Sequence, residues 1–503
     1  GRHEGSAAGG GTARACWLLR PRASIWTFRQ APADRGDRDR TDRAAVSGAM
    51  SFRRGFAATL GLDVLARALG AVTLVVLVRG LPVAGFAQYA LLLAFVGVAG
   101  GAAGGGVRMR YVRLTAERDS RGLPDSARPS FSGALATTLA LMLALAAIAL
   151  LATEAVALAG TSPYGRVLVL TAGAYAVGAA ASELAIAHWQ ALRRFALAGC
   201  VSVLRAVTVL AVAVLVVETP LGRSSDSTLL AFAAGMLAFG LAASVPMIRA
   251  DVAARRFTVR ALWVGREERW LTAYYVAGAG FAYVDILVAG ALLSDTQIAT
   301  LGATLRYVSL ALGAFPALNA ILKVRTSQVD VVDSLAVQRD MLIGWLRRAA
   351  LPSAAVLLAG VALGPSVIAL IDGGRYPGSR VAFQVFLAMV VATYMTAPAV
   401  NMLITQLRSA WLAKAVTIAL VVNLAGDLLV ARPFGVTGIA VVSSAVYVLV
   451  DAATVVAALR GAPRTAAASA TAHPPKESRN SVTSAPGTLR RRARRNGTRS
   501  RTP

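Results

Sequence analysis

Residues 57–79 read AATLGLDVLARALGAVTLVVLVR. The run is apolar apart from Asp63 and Arg67. A helix of about 20 mostly apolar residues crosses a bilayer, so this stretch is long enough to span one. Asp63 and Arg67 are four residues apart and share a helix face. At ~1.5 Å per residue, Arg67 sits ~16 Å above Phe56, near mid-membrane. A charge at that depth costs about 2.5–3.5 kcal/mol on insertion scales. A partner across a water-filled cavity, or an anionic substrate, would offset the cost. Other spans of the chain also carry lone charges, and the protein reads as a cavity built around them.

Composition agrees. The chain has 503 residues, 56% of them hydrophobic, and a mean hydropathy of +0.61. These values describe an integral membrane protein. The net charge of +27 does not point to nucleic acid, because the arginines lie between apolar runs and in the two tails. It reads instead as the basic excess of cytoplasmic loops. Cys16 lies in a polar tail and Cys200 in an apolar span, so they are not expected to pair.

Twelve apolar runs follow one another, at roughly 57–79, 85–106, 131–153, 166–187, 197–217, 228–248, 271–293, 297–318, 349–371, 381–403, 410–430 and 436–459. The connections between them alternate in charge. One set is rich in arginine, for example Arg108, Arg110, Arg113, Arg118, Arg121 and Arg128 after the second run. The other set is short and sparse, for example Arg79, or Asp372, Arg375 and Arg380. The basic set belongs inside, which puts both termini in the cytoplasm. The expected organisation is an extension at 1–56 with the translation start expected at Met50, a six-helix lobe at 57–248, a cytoplasmic linker at 249–270, a second six-helix lobe at 271–460, and a disordered basic tail at 461–503. Each half opens with a helix holding an internal acid, Asp63 or Asp285, then a short outer turn, a second helix and a long basic inner loop. Transporters built from two repeats read this way, with the substrate site between the repeats.

Catalytic signatures are missing. There is no GxxxxGK[ST] phosphate loop. The histidines are His3, His188 and His473, without HExxH or CxxC, so neither a metal nor a cofactor is expected. The outer loops are too short to carry a catalytic domain, which disfavours a membrane enzyme.

The polar residues inside the runs are Asp63, Arg67, Glu183, Arg205, Asp285, Arg306, Asn401, Asn423, Asp427 and Asp451. Ionisable groups inside spans are functional candidates by default. Glu183, Asp427 and Asp451 fall toward span ends, where snorkelling or capping is the expectation. Arg67, Arg205 and Arg306 lie deeper. Each serves either an internal ion pair or an anion, and a guanidinium fork suits phosphate. Asp63 and Asp285 are expected to neutralise arginines or to couple an ion. The Gly runs at 100–106 and 277–281 allow close packing or bending.

ARALGAVTLVVLVRGLPVAGFAQYALLLAF at 66–95 resembles the opening of the polysaccharide-biosynthesis flippases of the multidrug/oligosaccharidyl-lipid/polysaccharide exporter superfamily. YVDILVAGALLSDTQIATLGATLRYVSL at 283–310 resembles the start of their second repeat. The stretch LITQLRSAWLAKAVTIALVVNLAGDLLVARPFGVTGIAVVSSAVYVL at 403–449 resembles their last two helices. The likeness covers roughly 52–460. It implies an all-α, twelve-helix, V-shaped two-lobe transporter in the bacterial plasma membrane. The implied cargo is an undecaprenyl-pyrophosphate-linked oligosaccharide, carried to the outer leaflet, with glycan-assembly enzymes as partners; the arginines of the 461–503 tail are expected to meet anionic membrane lipids. In the related lipid II flippases, arginines on helices 1, 2 and 8 face the cavity, and Arg67, Arg108 and Arg306 are the counterparts by position. Those flippases usually have two further helices, which favours a repeat-unit or teichoic-type glycan here. A drug or cation antiporter of the same fold is the alternative. It would rely on intramembrane acids and apolar pockets.

Overall fold

A computed structural model describes residues 61–120, 129–158, 165–257, 268–315, 322, 334–406 and 408–460. The expectations for Met50, the 461–503 tail, Cys16 and most of the long inner loops lie outside these residues. The helices are α1 (Gly61–Gly80), α2 (Val83–Ser120), α3 (Phe131–Leu158), α4 (Arg166–Ala191), α5 (Phe195–Glu218) and α6 (Ser225–Ala253), then α7 (Glu268–Leu292), α8 (Asp295–Ala311), α9 (Ser334–Asp372), α10 (Gly378–Thr405) and α11 (Ser409–Arg460). Ten of these, all but α8, are long and apolar enough to cross a membrane. Their apolar side chains also point outward: Leu351, Leu358 and Leu370 on α9 are more than 70% exposed. In water that pattern would be costly, but it is what lipid solvates.

Local chemistry explains the element ends. Pro82 closes the two-residue turn just before α2, where its missing N–H costs nothing. The turn between α7 and α8 is also two residues, Leu293 and Ser294. There Gln297 Oε1 accepts from the Ser294 backbone N–H at 3.3 Å, tightening the first turn of α8. Within spans, hydroxyls are satisfied by the preceding helical turn. Thr73 donates to Leu69 O at 2.8 Å and Thr304 to Thr300 O at 2.8 Å, so neither strands a polar atom in the core.

α11 has 52 residues, which is ~78 Å at ~1.5 Å each and far more than one ~30 Å crossing. It reverses at Gly435, whose φ 56 and ψ −143 suit only a residue without Cβ. The two arms then lie antiparallel. Gly426 abuts Val442, Ala419 clusters with Val446, and Arg408 Nη1 donates to Ala457 O at 2.6 Å. The separate runs expected at 410–430 and 436–459 are therefore the two arms of one hairpin.

Helices α2 to α6 pack on one another, and so do α7 to α11. The two groups meet where α2 lies against α7 and α8. Glycines make this seam close: a Cβ on Gly101 would lie 3.3 Å from Tyr275 O, and one on Gly106 would lie 3.0 Å from Thr272 Cγ2. Pairing 97 with 283, 101 with 279 and 106 with 272 makes the seam antiparallel.

Two boundaries differ most from the sequence expectation. The second helix continues to Ser120, so Arg108, Arg110 and Arg113 stand on a helix rather than in a loop. Likewise α9 begins at Ser334, which puts Arg339, Arg347 and Arg348 on helix. Arginine is a good helix former, so loss of hydropathy marked the end of the apolar run and not the end of the helix.

Candidate functional site

Three groups of polar side chains sit inside the helices. The first lies on α1, α2, α4 and α5. Arg67 Nε bonds Asp63 Oδ2 at 2.8 Å, so this pair closes within one helix. Glu183 on α4 takes Arg108 of α2 on one oxygen, at 2.8 Å, and Arg205 of α5 on the other. Glu183 was expected to snorkel or cap near a span end. Instead it neutralises two arginines from two other helices, because a span-interior carboxylate is costly unless paired. Arg108 is likewise an ion-pair partner on a helix and not a loop charge. Asp63 also lies near Arg205, which joins the pairs into one network of three arginines and two acids.

The second group surrounds a cavity of about 170 Å³ between α2, α7, α8, α10 and the second arm of α11. Arg306 of α8 lines it, ~16 Å from the start of α8 at ~1.5 Å per residue. Across the cavity lie Ala90 and Ala94 of α2, whose small side chains leave the room. Arg306 also lies near Tyr89 of α2 and Tyr175 of α4, both buried. Tyr175 lies within electrostatic range of both Arg306 and Arg205. Among the described residues Arg306 makes no ion pair or hydrogen bond, although Asp285 lines the same cavity. An unpaired guanidinium with five donors facing a cavity is equipped to take an anion.

The third group adjoins that cavity. Asp285 of α7 is 3% exposed and accepts from Asn423 Nδ2 at 2.6 Å. Beside it stand Asp427 of the first α11 arm and Ser443 of the second. Asp427 was expected near a span end, but it is fully buried. Gly435 folds the hairpin so that this position lies inside the bundle. Among the described residues both Asp427 oxygens, Asn423 Oδ1 and Ser443 Oγ are buried without a well-formed hydrogen bond, although Asp427 and Ser443 lie within hydrogen-bonding reach of Asp285. Two adjacent buried carboxylates repel strongly unless a proton or a cation stands between them. An all-oxygen donor set of two carboxylates, an amide and a hydroxyl fits a hard cation such as sodium. Asp451 is also not at a solvated end: its carboxylate lies within hydrogen-bonding reach of Thr393 and Thr396 of α10.

The six residues singled out from sequence are thus divided. Arg306 and Asp285 meet at one cavity, Arg108 and Arg205 meet through Glu183, and Arg67 keeps its own Asp63. Sequence reading missed the pairing of Asn423 and Asp427 with Asp285, although their i, i+4 spacing puts them on one face.

No family model matches the sequence, and no curated protein sequence does. Solved structures do match. The lipid II flippase MurJ, in an inward closed conformation, aligns with a TM-score of 0.60 at 13% identity, over 80% of this chain and 88% of that one. An inward-facing multidrug resistance MATE-family transporter of the MOP superfamily aligns at 0.54 and 14% identity, over 83% of this chain and 100% of that one. The Vibrio cholerae MATE transporter VcmN aligns at 0.52 and 13% identity, over 82% and 97%. Each of these relatives is a transporter, and none is an enzyme. The chain therefore shares the all-helical fold of these solved transporters.

Proposed function

We propose that this chain is a flippase that moves a lipid-linked oligosaccharide, held through its pyrophosphate, from the inner to the outer leaflet of a bacterial plasma membrane by alternating access. The observation that carries the reading is Arg306: a cavity-facing guanidinium without a partner among the described residues, next to two buried tyrosines. A pyrophosphate would supply the bidentate acceptor that Arg306 lacks. Arg205 and Arg108 would add positive field behind it, and Arg67 would contribute least because Asp63 holds it. In this reading α1–α6 and α7–α11 are the two lobes. The α11 hairpin counts as two crossings and α8 completes twelve. Both termini lie in the cytoplasm, where the basic helix ends meet anionic lipid and the glycan-assembly enzymes deliver substrate.

The Asp285, Asn423, Asp427 and Ser443 group is the ion-coupling site of the same reading. It also favours a second one, a cation-coupled drug antiporter, since such a site would serve either cargo. The charge of the cargo separates them. Arg306→Ala and Arg306→Lys should both lower glycan export at unchanged membrane abundance, because lysine is a point charge and cannot replace the fork. Normal export by both variants would refute the anion site. Loss of extrusion of an apolar cation, with glycan export intact, would establish the antiporter instead.

A further inference from the structure

A cavity that opens to one side must be shut on the other, and two arginines outside the cavity stand where the closure is needed. α1 ends at Gly80 and α9 at Asp372, on the face opposite the arginine-rich helix ends. The last carbonyls of any helix lack an intrahelical donor and carry partial negative charge. Here each end is capped from the other group of helices. Arg79 of α1 donates from Nε to Ile371 O at 2.9 Å, and from Nη2 to Leu370 O. In return Arg375 Nη1 donates to Val78 O and to Arg79 O, each at 3.1 Å.

The turn that presents Arg375 is built for the purpose. Asp372 Oδ1 accepts from Gly374 N–H at 2.8 Å. Gly373 and Gly374 take φ of 65° and 79°, which glycine adopts without strain. The next residue, Tyr376, is 1% exposed and its ring lies 5.8 Å from that of Phe86 on α2. Phe86 leads on to Tyr89, and Tyr89 to Phe232 of α6. The polar exchange at the rim therefore sits over a dry aromatic seam between the two groups of helices.

We propose that the reciprocal Arg79 and Arg375 caps are the latch of the outer gate; this rests on the alternating-access reading and orientation given above. All four acceptors are neutral carbonyls. When the latch opens, neither guanidinium gives up a carboxylate acceptor, because Asp372 already holds the Gly374 N–H within its own turn, and the contacts made by Arg79 lie at an exposed rim. The closed state is held by charge-assisted bonds, yet the open state costs little desolvation. Such a latch releases and re-forms on each cycle, which a buried carboxylate pair would resist.

The test uses accessibility and needs no substrate. Cys16 and Cys200 are changed to Ser, and Ser309→Cys places a thiol in the cavity. A membrane-impermeant maleimide is applied to intact cells and, separately, to inverted membranes. The R79A/R375A pair should label about tenfold faster from outside, the effect of one lost charged hydrogen bond on the closed state. Labelling from inside should not rise. Arg79→Gln with Arg375→Gln keeps an N–H donor at each position and should fall between parent and Ala pair. Both pairs are compared at matched membrane abundance. An outside rate equal to the parent's in both pairs would overturn the latch, and so would faster labelling from the inside only. A wrong substrate assignment leaves this readout untouched, so the two proposals fail separately.

Discussion

Replacing Glu183 by Gln keeps its shape and removes the charge that two arginines share. Arg108 and Arg205 each lose a charge-assisted bond, worth about 1.5–3 kcal/mol when buried. The three side chains keep 32–39% exposure, so this partial exposure screens each bond toward ~1 kcal/mol. The Gln amide oxygen still accepts one neutral bond, but it leaves two like charges facing each other. The net cost is about 2 kcal/mol. Asp63→Asn is the control. That pair has similar exposure, 36% and 40%, but lies within a single helix, where such pairs contribute about 0.3–0.5 kcal/mol. Thermal unfolding in detergent, followed by size-exclusion of the purified protein, reads both variants. At about 2–4 °C per kcal/mol for a unit the size of α1–α6, Glu183→Gln should lower Tm by ~4–8 °C and Asp63→Asn by ~2 °C or less. Equal shifts would show that tying α2, α4 and α5 together is not what Glu183 does.

Two further outcomes follow from the same geometry. A Cβ on Gly240 of α6 would lie 2.7 Å from Gly178 Cα of α4, backbone against backbone, so Gly240→Ala should cost about 3 kcal/mol and cut membrane abundance. Gly235→Ala meets only the Val212 side chain, at 2.6 Å, and should cost less; equal losses would refute the distinction. Sodium should raise Tm relative to choline, by the equivalent of about 2.7 kcal/mol at a hundredfold excess over Kd. Asp427→Asn should abolish that response, and an undiminished sodium effect in the variant would sink the cation site.

The spans were legible because apolar runs and charge alternation are local properties of the chain. The partners of the intramembrane charges were not. Glu183 meets Arg108 from 75 residues away and Arg205 from 22, and Asn423 meets Asp285 from 138. Distance from the end of a run was a poor guide to burial, as Asp427 shows. Its place beside Asp285 depends on Gly435 reversing α11, and the stretch RPFGV reads as a turn without disclosing which face turns inward. Arg79 and Arg375 drew no attention as charges in short connections. Their acceptors are backbone atoms, which leave no residue-type signal in a sequence.

The two-residue turn at Leu293 and Ser294 has a thermodynamic consequence. It joins α7, which carries Asp285, directly to α8, which carries Arg306, and both side chains line one cavity. A cation held between Asp285 and the α11 hairpin would fix α7, and α8 has little slack with which to remain indifferent. Occupancy of the two sites would then be linked, and linkage is reciprocal: whatever factor the cation adds to anion affinity, the anion must add to cation affinity. A coupling of 1–3 kcal/mol, typical of such pairs, corresponds to about 5- to 150-fold. Measured sodium affinity would therefore report on cargo that has no label of its own.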